Sequence, residues 1–356
     1  MATAPVTALL VISPGRSNWV LLALFTGLAI AALLWGLERY RTTFSRTELG
    51  VSVLVAVGLL VIAFAPGLIQ TAGQFVNIED RFLVQIVANI AFVGLILYLV
   101  AAVSSNRGTI DELTCGVTAQ QAPDPPATGE ETLYAVIPAY NEEDSIGGVL
   151  EELPDRVEGH AVTPVVVSDG SQDRTTQVAR GYDAIVVEHP VNQGQGGSLK
   201  TGFQIALRHG ADIVVTMDAD GQHPADQLPE LVAPVADDEA DYVLGSRYRG
   251  EDESGNSMAR QSGIFVFTWL INRLTKSNIT DCTNGYRAIR GSEIGKLTLT
   301  EERFSAPELI IEARKNGMQI QEIPIVIQER EAGETKKPQL EYALGLTRTV
   351  LTTWIR

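Results

Sequence analysis

Hydrophobic and polar positions divide the 356 residues into two regimes. Trp19–Leu37, Val51–Ile69 and Phe82–Val103 are apolar runs of 19, 19 and 22 residues without a charged side chain. A bilayer core about 30 Å thick takes roughly 20 helical residues to cross. The pattern therefore predicts three transmembrane helices, at about 19–37, 51–69 and 82–103, in a membrane domain of residues 1–118. Glu38, Arg39 and Arg41 follow the first run where a removable leader would have small residues. Arg39, Arg41 and Arg46 crowd the first loop, whereas the second has only Arg81 beside Glu79 and Asp80. The positive-inside bias then puts the first loop, and everything after Val103, in the cytoplasm.

Beyond the third run the period changes. Residues 119–131, with QQAPDPPATGEE at Gln120–Glu131, read as a Pro-rich linker. From Thr132 apolar strands alternate with amphipathic helices: LYAVIP, VTPVVVSDG, AIVVEHP, the strand after Asp212 and YVLGSRY, with helices near 143–153, after Asp173 and near 199–209. This alternation predicts an α/β domain at 132–338, Rossmann-like, with a mostly parallel sheet and helices on both faces. Leu340, Leu344, Leu351, Trp354 and Ile355 recur at roughly helical spacing, which predicts an amphipathic helix over 339–356 that lies on the bilayer. The apolar stretch Ile264–Leu274 reads equally well as core or as a second membrane-facing helix.

Charge narrows the partners. The net charge of −16 falls wholly after residue 118, where 37 acids face 21 Lys plus Arg. With no basic face to neutralise phosphates, nucleic acid is excluded as a partner. Only six lysines occur in so acidic a chain, a balance that reads as adaptation to high salt. Two cysteines, Cys115 and Cys282, make neither a disulfide framework nor a zinc site.

Candidate chemistry gathers where strands end. Ile213–Met217 runs into Asp218, Ala219 and Asp220, with Gln222 just beyond. An open sheet presents ligand-binding groups at the carboxyl ends of its strands, and an oxygen-only set suits Mg²⁺ or Mn²⁺. The plainer reading is an acidic turn closing a core strand. PAYNE (Pro138–Glu142) and DGSQD (Asp169–Asp173) end the first two strands on the same edge. Asp169 can accept hydrogen bonds from a base or ribose and Tyr140 can stack on a base, although both suit caps and turns. NQGQGGSLKTG (Asn192–Gly202) can bring backbone N–H groups and Lys200 near phosphate oxygens; it is neither a Walker loop nor a dinucleotide fingerprint.

VIPAYNEEDSI, VVVSDGSQDRT, NQGQGGSLKTG, MDADGQHP, LGSRY, TDCTNGYRAI and REAGETK follow one another in an order that resembles the family 2 glycosyltransferases of GT-A fold. The likeness is greatest to the dolichyl-phosphate and polyprenyl-phosphate mannose and glucose synthases, over about Thr132–Lys337. The resemblance implies a nucleotide pocket of Pro138, Tyr140, Glu142, Val167 and Asp169. It further implies metal ligands Asp218, Asp220 and Gln222, catalytic residues that include Asp281 and Arg287, and Arg247, Arg330 and Lys336 as groups that meet donor and acceptor phosphates. Ser168 and Ala306-Pro307-Glu308 depart from the family pattern, which leaves the base and the sugar open. The N-terminal part, through ERYRTTFSRTEL, resembles a small three-helix membrane domain of unknown function.

The resemblance implies an inverting, metal-dependent transfer of one hexose from a nucleoside-diphosphate sugar to a polyprenyl (dolichyl) phosphate at the bilayer, supplying lipid-linked sugar for protein or surface glycosylation. Such a phosphate is already ionised and needs no general base. One alternative is a glycolipid or polysaccharide synthase with a hydroxyl acceptor, where Asp281 would be the base. Another is a membrane scaffold that keeps the fold without catalysis.

Overall fold

A computed structural model describes residues 19–43, 46–65, 89, 92, 95, 99, 108–125, 129–252, 258–301, 305–328 and 339–355. The chain divides into two compact units, Met1–Val103 and Ser104–Arg356.

In the first unit, α1 (Trp19–Thr43) packs on α2 (Arg46–Phe64). Ala29, Ser52 and Ala56 are buried, whereas Leu24, Leu34, Leu54 and Val57 are exposed. Small residues inside and large apolar ones outside invert the pattern of a helix pair built for water. Among the described residues no helix is long and apolar enough to cross a membrane. Most of the third expected span, Phe82–Val103, lies outside the described residues; Phe92, Leu95 and Leu99 are helical and exposed.

The second unit opens with α3, helical over 108–120. Around one sheet follow β1 (Thr132–Ala139), α4 (Ile146–Glu152), β2 (Arg156–Val157), β3 (His160–Ser168), α5 (Thr175–Ala179), β4 (Ile185–Glu188), α6 (Gly194–Arg208) and β5 (Ile213–Thr216). They continue as α7 (Leu228–Ala236), β6 (Tyr242–Asp252), α8 (Met258–Thr275), β7 (Arg287–Arg290), the single turn α9 (Gly291–Ile294), α10 (Ser305–Lys315), β8 (Ile320–Ile327) and α11 (Gln339–Ile355). The strand order is β2-β3-β1-β5-β7-β6-β8, with β4 also on β3. Strands β4, β3, β1 and β5 are parallel, and β6 pairs β8 in parallel, but β7 runs antiparallel between β5 and β6. The sheet is thus mixed, and a four-residue β7 with a buried arginine offered no alternating signal from which to expect it.

Side chains along β1 alternate between two cores, as the period of two requires. Tyr134 and Val136 join Leu199 and Phe203 of α6, Ile271 of α8 and Val350 of α11. Leu133, Ala135 and Ile137 join Ile146 of α4 and Leu228 and Leu231 of α7. Helices cover both faces, as expected. A Cβ on Gly202 would collide with Val136, so this glycine lets α6 lie directly on β1. Residues 119–124, the first part of the expected linker, are docked: Arg208 donates to the carbonyls of Ala119, Gln120 and Ala122 and to Asp124.

Candidate active site

Parallel pairing sets the tips of the central strands side by side. Ala139 is level with Ser168, and Val136 with Thr216, so Tyr140, Asp169 and Asp218 emerge on one edge of the sheet. The first turn of α6 binds two of these tips together. The main-chain N–H of Gln193 donates to Asp169 Oδ1 at 2.8 Å, and Gln195 Nε2 donates to Asp218 Oδ1 at 2.9 Å. Asn192 closes the loop by donating to the Asp169 carbonyl. Gly170, at φ +69°, lies so close to Asn192 that a Cβ would meet its nitrogen at 2.8 Å. Tyr140 stands 47% exposed at the rim.

Behind Asp169 sits His189, whose Nδ1 bonds Asp169 Oδ1 and whose Nε2 bonds Thr201 Oγ1, both at 2.8 Å. Burial alone would lower its pKa, but the Asp169 carboxylate, with Cys115 of α3, outweighs this and raises it to about 9.

The acidic turn after β5 is held from below. His223 Nδ1 accepts the Asp218 N–H at 2.9 Å, so its proton lies on Nε2, which donates to Asn284 Oδ1 at 3.0 Å. Its ring stacks on Tyr286, 4.8 Å between centroids. Asn284 and Tyr286 flank Gly285, whose carbonyl accepts from Thr216 Oγ1. A Cβ on Gly285 would stand 3.0 and 3.2 Å from the two Asp218 carboxylate oxygens. The loop 281–286 is therefore the floor beneath Asp218.

Asp281, at the start of that loop, is fully buried. Its Oδ2 accepts from Arg247 Nε at 2.6 Å; Oδ1 accepts from Arg247 Nη2 at 3.4 Å and from the N–H and hydroxyl of Thr283, each at 3.1 Å. Burial opposes the charge on Arg247, but Asp281 overrides it and raises the guanidinium pKa. Glu322 of β8 grips the same loop through the N–H groups of Thr280 and Asp281.

The geometry is that of a strand-end site with two carboxylate stations, Asp169 and Asp218, beside a buried Arg247–Asp281 ion pair. Residues 134–296 match the model of the family described as Glycosyl transferase family 2. The chain is 34% identical over 206 residues to the dolichyl-phosphate hexose transferase of Haloferax volcanii, covering 58% of this chain and 86% of that protein. This chain belongs to glycosyl transferase family 2. It is also 31% identical to the UDP-N-acetylglucosamine–dolichyl-phosphate N-acetylglucosaminyltransferase of Methanococcus voltae (55% of this chain, 85% of that one). To the undecaprenyl-phosphate mannosyltransferase of Micrococcus luteus it is 34% identical (57% and 86%). Among solved structures, glucosyl-3-phosphoglycerate synthase from Mycobacterium tuberculosis, with Mn²⁺, UDP and phosphoglyceric acid, superposes with a TM-score of 0.51 at 21% identity, covering 64% of this chain and 80% of that one. That likeness establishes the GT-A-like fold and no more.

In this glycosyltransferase the cleft gathers Tyr140, Asp169, Asp218 and Asp220, with Pro138 and Glu142 partly buried beside the first strand tip. Asp220 is 4% exposed and accepts the Gln222 N–H at 3.1 Å. Gln222 Nε2 donates to the Gln328 carbonyl at 3.1 Å. Val167 is wholly inside the core. Arg287 is 1% exposed; it donates to the carbonyls of Asn284 and Ala306 and holds the floor loop against α10. Lys200, partly buried in the second turn of α6, meets no carboxylate among the described residues. Arg330 and Lys336 lie outside the described residues. His189, Gln195, His223, Asn284 and Glu322 were not singled out in the sequence. His189, Gln195, His223 and Asn284 stood inside quoted stretches, but spacing cannot tell which side chains of a motif turn inward.

Proposed function

We propose that this glycosyltransferase transfers one hexose, with inversion, from a nucleoside diphosphate to a polyprenyl (dolichyl) phosphate at the cytoplasmic face of the membrane. The observation that carries the choice of acceptor is the burial of Asp281. It has no exposure and both its oxygens accept from Arg247, so the carboxylate a hydroxyl acceptor would need as base is sealed. A phosphomonoester, with a second pKa near 6, is a nucleophile without one. The names of the relatives from Haloferax, Methanococcus and Micrococcus support the same acceptor class, while their sugars differ.

Asp218 and Asp220 supply hard oxygen donors suited to Mg²⁺ or Mn²⁺, and the bare Gly285 leaves room beside Asp218. Gln222 donates Nε2 to the Gln328 carbonyl, and its Oε1 is the atom that would serve as a further donor. Among the described residues no three His, Cys, Asp or Glu side chains cluster as a closed metal cage. Two carboxylates suit a cation whose remaining ligands are diphosphate and water. Such a cation, when bound, neutralises the leaving diphosphate as a Lewis acid. The chain's own groups do the positioning. Asp169 takes a donor edge of the base and Tyr140 offers a stacking face. Lys200 and Arg247 Nη1, which Asp281 and Thr283 leave unengaged, meet phosphate oxygens. Arg330 and Lys336 belong to the same proposal, as groups drawing in the acceptor phosphate.

Membrane attachment is supported by the outward leucines and valines of α1 and α2. It is further supported by the outer faces of α8 and α11. Ile264, Phe267, Ile271, Leu346 and Val350 point into the core, but Phe265, Val266, Trp269, Leu351, Trp354 and Ile355 are exposed. Two packed helices that each turn a tryptophan outward suit the bilayer interface. The acceptor assignment is tested by supplying polyprenyl phosphate or free polyprenol to the full-length protein with the same donor. Transfer to the phosphate alone is expected, and equal transfer to polyprenol would overturn it.

A further inference from the structure

One oxygen of Asp169 is spoken for. Oδ1 accepts from His189 Nδ1 and from the Gln193 N–H, each at 2.8 Å. The His189 ring cannot swing aside: its side chain has no exposure, and Thr201 Oγ1 holds Nε2 at 2.8 Å. Oδ2 accepts no hydrogen bond among the described residues, and the Asp169 side chain keeps 5% exposure at the strand edge. Its neighbours offer no substitute. The hydroxyl of Ser168 is engaged with Ser171 and Thr176, and Gln193 Oε1 is sealed from solvent. Asp169 thus presents one open carboxylate oxygen, Oδ2.

We propose that the His189 clamp on Asp169 makes this pocket selective for a base with a single imide N–H, uracil or thymine, over guanine. The proposal rests on the reading of the cleft as a nucleotide-sugar site. Guanine carries two adjacent donors, N1–H and the 2-amino group, which a carboxylate satisfies only with both oxygens. With Oδ1 held by the protein, guanine leaves one of its two donors without a carboxylate partner, a loss that discriminates between ligands. Uracil and thymine offer one N–H between two carbonyls and fit a single oxygen. Cytosine and adenine turn an unprotonated ring nitrogen towards the carboxylate, lone pair against anion. His189 acts through Asp169 and is a positioning residue.

The test is calorimetric titration of the full-length protein in detergent, with Mg²⁺, by UDP, dTDP, GDP, CDP and ADP. UDP or dTDP is expected to bind at least tenfold more tightly than GDP, CDP or ADP, and comparing the first two separates uracil from thymine. In His189→Asn, where the shorter side chain leaves Oδ1 with the Gln193 N–H alone and room for a second donor, the preference over GDP is expected to fall at least threefold. Thr201→Val, which removes only the anchor of the ring, should shift it in the same direction if His189→Asn does not fold. A merely structural histidine would weaken all nucleotides alike, and an unchanged ratio in the folded variants overturns the clamp. GDP binding as tightly as UDP to the unaltered protein overturns the selectivity but leaves the transferase reading standing. Failure of every nucleotide to bind overturns that reading and this one with it.

Discussion

Gly285→Ala probes the floor of the site with one methyl group. Gly285 does not occupy the left-handed region, so alanine can take its backbone conformation. The new Cβ would stand 3.0 and 3.2 Å from the Asp218 oxygens, closer than the 3.4 Å at which ordinary contact begins. The carboxylate must therefore retreat by a few tenths of an ångström. A misplacement of about 1 Å costs roughly a hundredfold in rate, so a shift of this size should lower kcat about three- to tenfold, or about 0.6–1.4 kcal/mol. Donor KM should change little, because Asp169 and Tyr140 are untouched. The assay is the initial rate of hexose transfer to polyprenyl phosphate over a Mg²⁺ titration, beside a thermal melt. Gly202→Ala is the control: its methyl strikes Val136 between α6 and β1, so about 1–3 kcal/mol of stability should be lost by overpacking. Wild-type kcat and Mg²⁺ dependence in Gly285→Ala would refute a reacting role for Asp218.

Arg247→Ala strands the buried Asp281 carboxylate and should cost about 3–5 kcal/mol in urea unfolding; a loss under about 1 kcal/mol would mean the pair is not formed. The His189–Asp169 contact raises the folded pKa of His189 to about 9 from 6.5. Its stabilisation is therefore complete below pH 6.5 and lost as pH rises through 9. His189→Gln should accordingly be less stable than the unaltered protein at pH 6, with the gap closing by about pH 10; a gap independent of pH contradicts a charged histidine. Trp269→Glu with Ile355→Glu should weaken binding of residues 104–356 to anionic liposomes at least tenfold, and unchanged co-sedimentation would remove α8 and α11 from the membrane surface.

Much of this was legible in the sequence, for identifiable reasons. The central strands β1, β3 and β5 announced themselves because burial on both faces demands unbroken β-branched and aliphatic runs. Their acidic and polar tips then followed from where parallel strands end. What stayed hidden depends on contacts distant in sequence. β7 is four residues long and carries Arg287 inward, so neither length nor alternation marked it. Arg287 has the look of a reacting cation in sequence, yet it is buried and bonded to the carbonyls of Asn284 and Ala306. The grip of Glu322 on residues 280–281 spans about forty positions, and no local pattern encodes it. Among their described residues α8 and α11 each turn apolar side chains both into the core and outward, because these exceed what one buried stripe can use.

The most direct measurement is the chemical fate of the transferred sugar. Membranes containing the full-length protein are incubated with radiolabelled nucleoside-diphosphate hexoses and polyprenyl phosphate, and the lipid is extracted and treated with mild acid. Label should enter the organic phase only when polyprenyl phosphate is present and return to water as free hexose on mild acid treatment, as a glycosyl phosphate must. It should fall at least a hundredfold in Asp220→Asn, about 2.7 kcal/mol of lost transition-state stabilisation. Acid-stable label on a neutral lipid, or full transfer by Asp220→Asn, would contradict it.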